Sequence, residues 1–206
     1  MNDKWANPQK MWDERFSGEE SVYGEHPNHF LQEQAFRLKP GMQVLVPADG
    51  YGRNGVWLAK QGLQVHTVDL SPVGVEKARK RARAAGVKMT IEQADLSRWP
   101  WPENAFDAIA SIFLHLLPDV RAKIHANILR AAKPCGLVLL EAFTPAQLQH
   151  SSGGPKQVEL LYTAEVLHQD FSPAEVLLLE EREVELDEGN MHRGPAAVVR
   201  AVFQKK

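Results

Sequence analysis

One stretch constrains the fold more than any other: Gln43-Val-Leu-Val-Pro-Ala-Asp-Gly-Tyr-Gly-Arg-Asn-Gly-Val-Trp-Leu-Ala59, followed at once by Val65-His-Thr-Val-Asp69. An apolar run breaks into glycines, a helical pattern begins, and a second apolar run ends on an acid. That order predicts strand, loop, helix, strand, the opening half of a nucleotide-binding sheet. Gly50 and Gly52 let the backbone turn tightly and approach a ligand closely, while a helix starting near Arg53 offers free N–H groups. Asp69 falls nineteen positions after Gly50, close to the spacing at which a carboxylate grips ribose hydroxyls.

The same alternation continues downstream. Ser71-Pro72 opens a helix whose Val75, Ala78, Ala82 and Ala85 share one face, with serine suited to the cap and proline to the first turn. Val87 to Gln93 reads as a third strand delivering Ala94-Asp95-Leu96 to the same edge, and Phe106 to Phe113 as a fourth placing Phe113 and His115 in the crevice. A helix from Pro118 carries Val120, Ile124, Ile128 and Ala131 inward and stops before Pro134, and Leu137 to Phe143 is a nearly continuous apolar fifth strand that presents Glu141. Alternating strand and helix implies an α/β, Rossmann-like, doubly wound sheet. Val176 to Leu186 and Ala196 to Phe203 read as two further strands, an antiparallel hairpin closing a mostly parallel, seven-stranded sheet.

Two segments flank this core. Before it, residues 1–40 predict a helical cap, with Trp5, Met11, Trp12 and Phe16 at near-helical spacing, a loop over Ser21 to Pro27, and Asn28 capping a helix through Leu38. After it, Thr144 to Tyr162 contains Ser151-Ser-Gly-Gly-Pro155, a long stretch of the kind that forms lids. The expected organisation is a single domain over 1–206: cap 1–40, core 41–143, lid and hairpin 144–206.

With 206 residues, 44% of them hydrophobic and 24% charged, the chain has enough apolar material for one full core. No apolar run reaches the roughly 18 residues of a membrane span, and the first residues lack a secretory core, so no membrane partner and a cytoplasmic location are expected. The single Cys135 forbids an internal disulfide and reads as a bystander thiol in the turn Lys133 to Gly136. A net charge of −2 gives no field for nucleic acid, and the basic residues from Lys77 to Lys88 carry no interleaved aromatics, so they read as a solvated face. Eight histidines show no metal-ligand spacing, and no metal is expected.

Gly50-Tyr-Gly-Arg-Asn-Gly55 matches G-x-G-x-x-G, which brings a nicotinamide-dependent oxidoreductase into consideration. Two features weigh against it: Pro47-Ala-Asp49 intervenes between strand and first glycine, and the hairpin finish is foreign to a six-stranded dinucleotide fold. Taken in order, Val44 to Asn54, Val68-Asp-Leu-Ser71, Ala94-Asp-Leu96, Phe106-Asp-Ala-Ile109 and Leu129 to Leu137 resemble the class I S-adenosylmethionine-dependent methyltransferases. The likeness runs from about Gly41 to Phe143. Within that class the chain is most similar to the tellurite-resistance type and, more loosely, to the thiopurine methyltransferases, through Gly52-Arg-Asn54, Trp12-x-x-Arg15 and Tyr23-Gly24. Where the family usually has an acid and a glycine, this chain has Val46 and Ala48, and Asp49 stands next to them as a replacement acid.

The resemblance implies S-adenosylmethionine as cofactor, released as S-adenosylhomocysteine, and a small-molecule methyl acceptor such as a soft thiol, selenium or tellurium nucleophile. It implies cofactor contacts from Trp12, Arg15 and Tyr23 in the cap, and from Pro47, Ala48, Asp49, Gly50, Gly52 and Asn54 around the methionine end. Asp69, Leu70 and Ser71 would take the ribose, Ala94, Asp95 and Leu96 the adenine, and Phe113 the pocket wall. An ionised soft acceptor needs no base; an oxygen or nitrogen acceptor does, and His115 is the first candidate, with Glu141 and His192 behind it. A nicotinamide enzyme and a non-catalytic, nucleoside-binding relative stand as the alternatives. A monomer or weak homodimer is expected.

Overall fold

The computed structural model describes residues 7–18 and 21–206; Trp5 lies outside them. Seven strands form one sheet: β1 (Gln43–Pro47), β2 (Gln64–Asp69), β3 (Thr90–Gln93), β4 (Phe106–Ile112), β5 (Ala132–Phe143), β6 (Glu175–Asp187) and β7 (Arg193–Gln204). Their order is β3-β2-β1-β4-β5-β7-β6. The first five run parallel, with Leu45 level with His66 on one side and Ile109 on the other. β7 pairs antiparallel with both β5 and β6. The hairpin thus does more than close an edge, because its second strand goes in beside β5 and its first is left outermost.

This order fixes where a ligand can sit. The chain leaves β1 in one direction to build β2 and β3, then crosses back to build β4 on the other side. The two βα connections diverge above β1 and β4 and leave a crevice at their carboxyl ends. Into it run the residues after β1, Ala48 to Gly52, and those after β4, Phe113 to His115.

Pleating divides the core. Leu45, Ile109 and Leu140 face one layer with Ile124, Ile128 and Phe171; Val44, Val46 and Leu139 face the other with Phe30, Leu31 and Leu58. Each such side chain, removed fully from water, contributes about 1.5–3 kcal/mol. The helices α3 (Arg53–Lys60), α4 (Pro72–Ala84), α5 (Pro118–Ala131) and α6 (Ala164–Asp170) pack on these layers. Ser71 caps α4 as expected, its Oγ accepting from Gly74 N at 3.1 Å.

Several boundaries differ from the sequence expectation. β3 begins at Thr90 rather than Val87, since Val87 N still bonds back to Ala82 O at the end of α4. The helix expected from Asn28 to Leu38 is one short helix, α2 (His29–Glu33), followed by a single 3-10 turn. Lys133 to Gly136 is no free turn: α5 runs directly into β5, and the four residues bulge inside the strand while Cys135 and Gly136 bond to Lys205 just beyond β7. Pro134 stops the helix, and Lys205 supplies the backbone partners that hold the bulge, in which Cys135 takes a φ of 62°. The cap's first helix, α1 (Pro8–Phe16), lies against α4.

Candidate functional site

The residues of the glycine loop hold unusual backbone conformations. Gly50 and Gly52 have φ of 58° and 83°, and Ala48, with φ of 55°, takes the same left-handed region despite its methyl group. The rest of the loop explains the persistence of that strain. A Cβ on Gly50 would stand 2.8 Å from the Phe16 ring, and one on Gly55 would stand 2.5 Å from Asp49 Oδ2 and 2.7 Å from Thr67 Cγ2. Close packing of α3 on β2 therefore requires glycine at position 55.

Asp69, at the end of β2, is buried with its carboxylate fixed: Gly50 N–H donates to Oδ2 at 2.7 Å and Ser71 N–H to Oδ1 at 2.8 Å. Asp49 does not take the place of the missing acid at Val46. Its Oδ2 accepts from Gly55 N at 3.0 Å beneath the loop, and Oδ1 has no partner among the described residues. Burial pushes this carboxyl up to about 8, against the pull of the Gly55 hydrogen bond.

A cavity of about 460 Å³ opens above the crevice. Its floor is Ala48 to Tyr51, Arg53 and Asn54; the α1 side supplies Met11, Trp12, Arg15 and Phe16; Tyr23, Phe113, His115, Phe143 and His192 form an aromatic wall; and Ser151 and Gly153 to Gln157 with Met191 close the far side. The volume is at the small end of the roughly 300–1,000 Å³ of small-molecule sites. Of the sequence-predicted cofactor residues, Trp12, Arg15, Tyr23, Ala48, Asp49, Gly50, Asn54 and Phe113 line it. Pro47, Gly52, Asp69, Leu70, Ser71, Ala94, Asp95 and Leu96 lie outside its lining. The latter group gathers at the neighbouring ends of β1, β2 and β3, where Ala94 N bonds Asp69 O at 3.0 Å. Asp13 reaches over this edge from α1 and accepts from Ser71 Oγ at 2.5 Å, so the cap separates the two halves.

The three candidate bases have different fates. Glu141 is outside the cavity lining and fully buried in a salt bridge, Arg200 Nε donating to Oε1 at 2.6 Å and Asn28 Nδ2 to Oε2 at 2.5 Å. His115 lines the cavity, but Nδ1 donates to Leu160 O at 2.7 Å and Nε2 accepts from Phe143 N at 3.4 Å. Desolvation drops it to about 4, and both nitrogens are spent on backbone. His192 is buried, its ring centre 4.6 Å from those of Tyr23 and Phe113 and 5.2 Å from Phe143, with no partner on Nδ1 among the described residues. Burial first, then the charge of Arg53, hold it well below the usual histidine range, so the imidazole is neutral.

Sequence reasoning missed what holds this wall in place. Glu188, in the β6–β7 turn, accepts from Arg53 at 2.6 Å, from Asn28 Nδ2 at 2.9 Å and from His29 N at 3.1 Å, tying the turn that carries His192 to the first residue of α3. Buried Gln147 donates to Ser152 Oγ and Gly153 O and accepts from Ala197 N, folding the lid inward. Gly153 and Gly154, with φ of 108° and 82°, then press backbone against His192 and Phe143. The Ser-Ser-Gly-Gly-Pro run signalled a flexible lid; nothing local signalled its anchors. Among the described residues no three His, Cys, Asp or Glu side chains gather as a metal site would need, and no helix is long and apolar enough to cross a membrane.

Residues 44–136 match the family described as a methyltransferase domain. An uncharacterised methyltransferase of Synechocystis is 32% identical over 122 residues, 58% of this chain and 56% of that protein. A thiopurine S-methyltransferase of Nitrosospira multiformis is 29% identical over 126 residues, 60% and 56% of the two chains. The crystal structure of TehB from Haemophilus influenzae superposes with a TM-score of 0.72 at 17% identity, covering 96% of this chain and 67% of that one. The chain spans 39% of the length of the mycobacterial relatives it matches and just over half of the two named above. The core is similar to methyltransferase domains, and these likenesses support S-adenosylmethionine as its cofactor. None of these matches is to a nicotinamide-dependent enzyme. The structure fits the group: a loop with no room for side chains at Gly50 and Gly55, a fixed carboxylate at Asp69 and an aromatic-walled cavity.

Proposed function

We propose that the whole of 1–206 works as one small-molecule methyltransferase unit, in which the core binds S-adenosylmethionine and the cap, lid and C-terminal hairpin enclose the acceptor. The observation that carries this reading is the cavity at the β1/β4 crossover, continuous from the glycine loop to the aromatic wall. Ala48 to Gly50 and Asn54 line the methionine side. Arg15, which donates to Tyr23 Oη at 2.7 Å and has no carboxylate partner among the described residues, suits the carboxylate of the methionine head. Asp69 takes the ribose and Ala94 to Leu96 the adenine, with α1 over both.

When bound, the cofactor supplies a methyl group already activated by a sulfonium. The chain's task is then to exclude water, align the acceptor and face the positive sulfur with aromatic rings. Trp12, Tyr23, Phe113 and Phe143 do this. Of the three candidate bases, only His192 combines a place in the wall with an unengaged nitrogen; a neutral imidazole there orients an acceptor or takes its proton. His115 positions Phe143 and the lid.

A soft nucleophile, such as a thiol, suits this site best, because a readily ionised acceptor needs little help from a histidine that burial has made a weak base. The thiopurine S-methyltransferase among the relatives agrees with that class. Thermal unfolding with S-adenosylhomocysteine tests the cofactor: at a hundredfold excess over Kd the ligand adds about 2.7 kcal/mol, and NADH adds nothing. A shift with NADH alone would reverse the assignment. A panel of thiols, selenite, tellurite and amines, followed by S-adenosylhomocysteine release, tests the acceptor.

A further inference from the structure

The charge lining the cavity is one-sided. Among the described residues, its arginine, lysine and carboxylate side chains are those of Arg15, Arg53, Lys156 and Asp49. Arg53 is neutralised by Glu188 at 2.6 Å. Asp49 turns its carboxyl under the loop onto Gly55 N–H and offers no charge to the interior. Arg15 pairs with no carboxylate, and Lys156, exposed on the lid, has only His150 O at 3.4 Å, among the described residues. His115 and His192 are neutral and contribute no negative charge. The cavity wall is therefore cationic.

The cofactor makes it more so. If the proposed function holds, the site admits a sulfonium and an ammonium against one carboxylate, a net charge of +1 added to a wall that already has unpaired cations. In a cavity screened from water, a further ammonium would find no counter-ion, whereas an anion would find several.

We propose that the acceptor is an anion, a small molecule bearing a carboxylate, drawn in past Lys156 and held on the cationic side of the cavity, and that amines are rejected. Lys156 is the residue that steers it, since Arg15 is taken by the cofactor. Among the described residues, discrimination comes as much from the lack of a carboxylate facing the interior as from the lysine present.

The experiment is calorimetric titration of acetate and benzoate, against methylamine and benzylamine, into the full chain loaded with S-adenosylhomocysteine or with sinefungin, which keeps the positive charge. The acids are expected to bind at least about tenfold tighter than the amines. They should bind more tightly to the sinefungin complex than to the S-adenosylhomocysteine complex, and more weakly as salt rises. Lys156→Glu should erase the preference, and because the side chain is exposed the fold should be unaffected, which a melting curve checks. Amines binding as well as acids, neither class binding, or a preference untouched by K156E overturns the inference while leaving methyl transfer standing. Failure of S-adenosylhomocysteine itself to bind instead removes the proposed function and this inference with it.

Discussion

Asp49 illustrates how one carboxyl can report on a loop. Its pKa is raised in the fold, to about 8 from an ordinary 3.8, so its contribution to stability is fully present below about pH 4 and is lost as pH rises through 8. Asp49→Asn keeps an acceptor for Gly55 N–H without the charge. The variant is expected to melt higher than the wild type, by a margin that grows between pH 5 and pH 8; a constant or shrinking margin in calorimetry would refute the assignment. His115 runs the other way. Held down to about 4, it supports the fold above pH 6.5 and its contribution is lost as pH falls toward 4. The two histidines should separate on substitution: His192→Asn should lower kcat by about a hundredfold or more while S-adenosylhomocysteine affinity holds. His115→Ala should lower the melting temperature, at a cost of about 1–3 kcal/mol, without changing the shape of the turnover profile with pH. How far the sequence reached is clear from these residues. The turn at Gly50 and Gly52 and the strand end at Asp69 were legible because both are local, set within twenty positions. The fate of Glu141 was not, because its partner Arg200 is 59 positions away and no pattern in either strand announces the pairing.

At the scale of elements, the strands and helices of the core followed from periodicity, while the cap, lid and hairpin were placed by long-range polar contacts. The Asn28, Glu141, Glu188, Arg53 and Arg200 cluster joins the cap to β5, β7 and the start of α3. Arg200 also reaches Glu33 at 3.1 Å, on α2. Burying such charges costs solvation that their attraction repays only while the set is complete. Glu141→Leu alone should therefore destabilise the fold by about 3–5 kcal/mol, and so should Arg200→Met alone. The double variant should recover most of that loss, and denaturant unfolding of all three provides the test. If the losses simply add, the pair is not a coupled unit. The antiparallel hairpin expected from the sequence is present, but its strand order was not legible for a related reason: alternating apolar residues in β6 and β7 reveal two strands but not which one enters the sheet. The burial that decides it is asymmetric. Ala196 to Phe203 are buried without a break, whereas β6 is largely exposed, its strand lined with Glu180, Glu181, Glu183 and Glu185. Charges along an outer strand also keep it from pairing with another chain.

For the molecule as a whole, the placement of β7 has a consequence in time. The strand that completes the sheet beside β5 is made after the one that ends outside it, so a chain emerging from the ribosome has β6 before it has anywhere to put it. Until residues 193–204 are out, β5 presents an open, apolar margin, and the wall that carries His192 does not exist. Synthesis in this order leaves the aromatic wall of the cavity unassembled until β7 has joined the sheet.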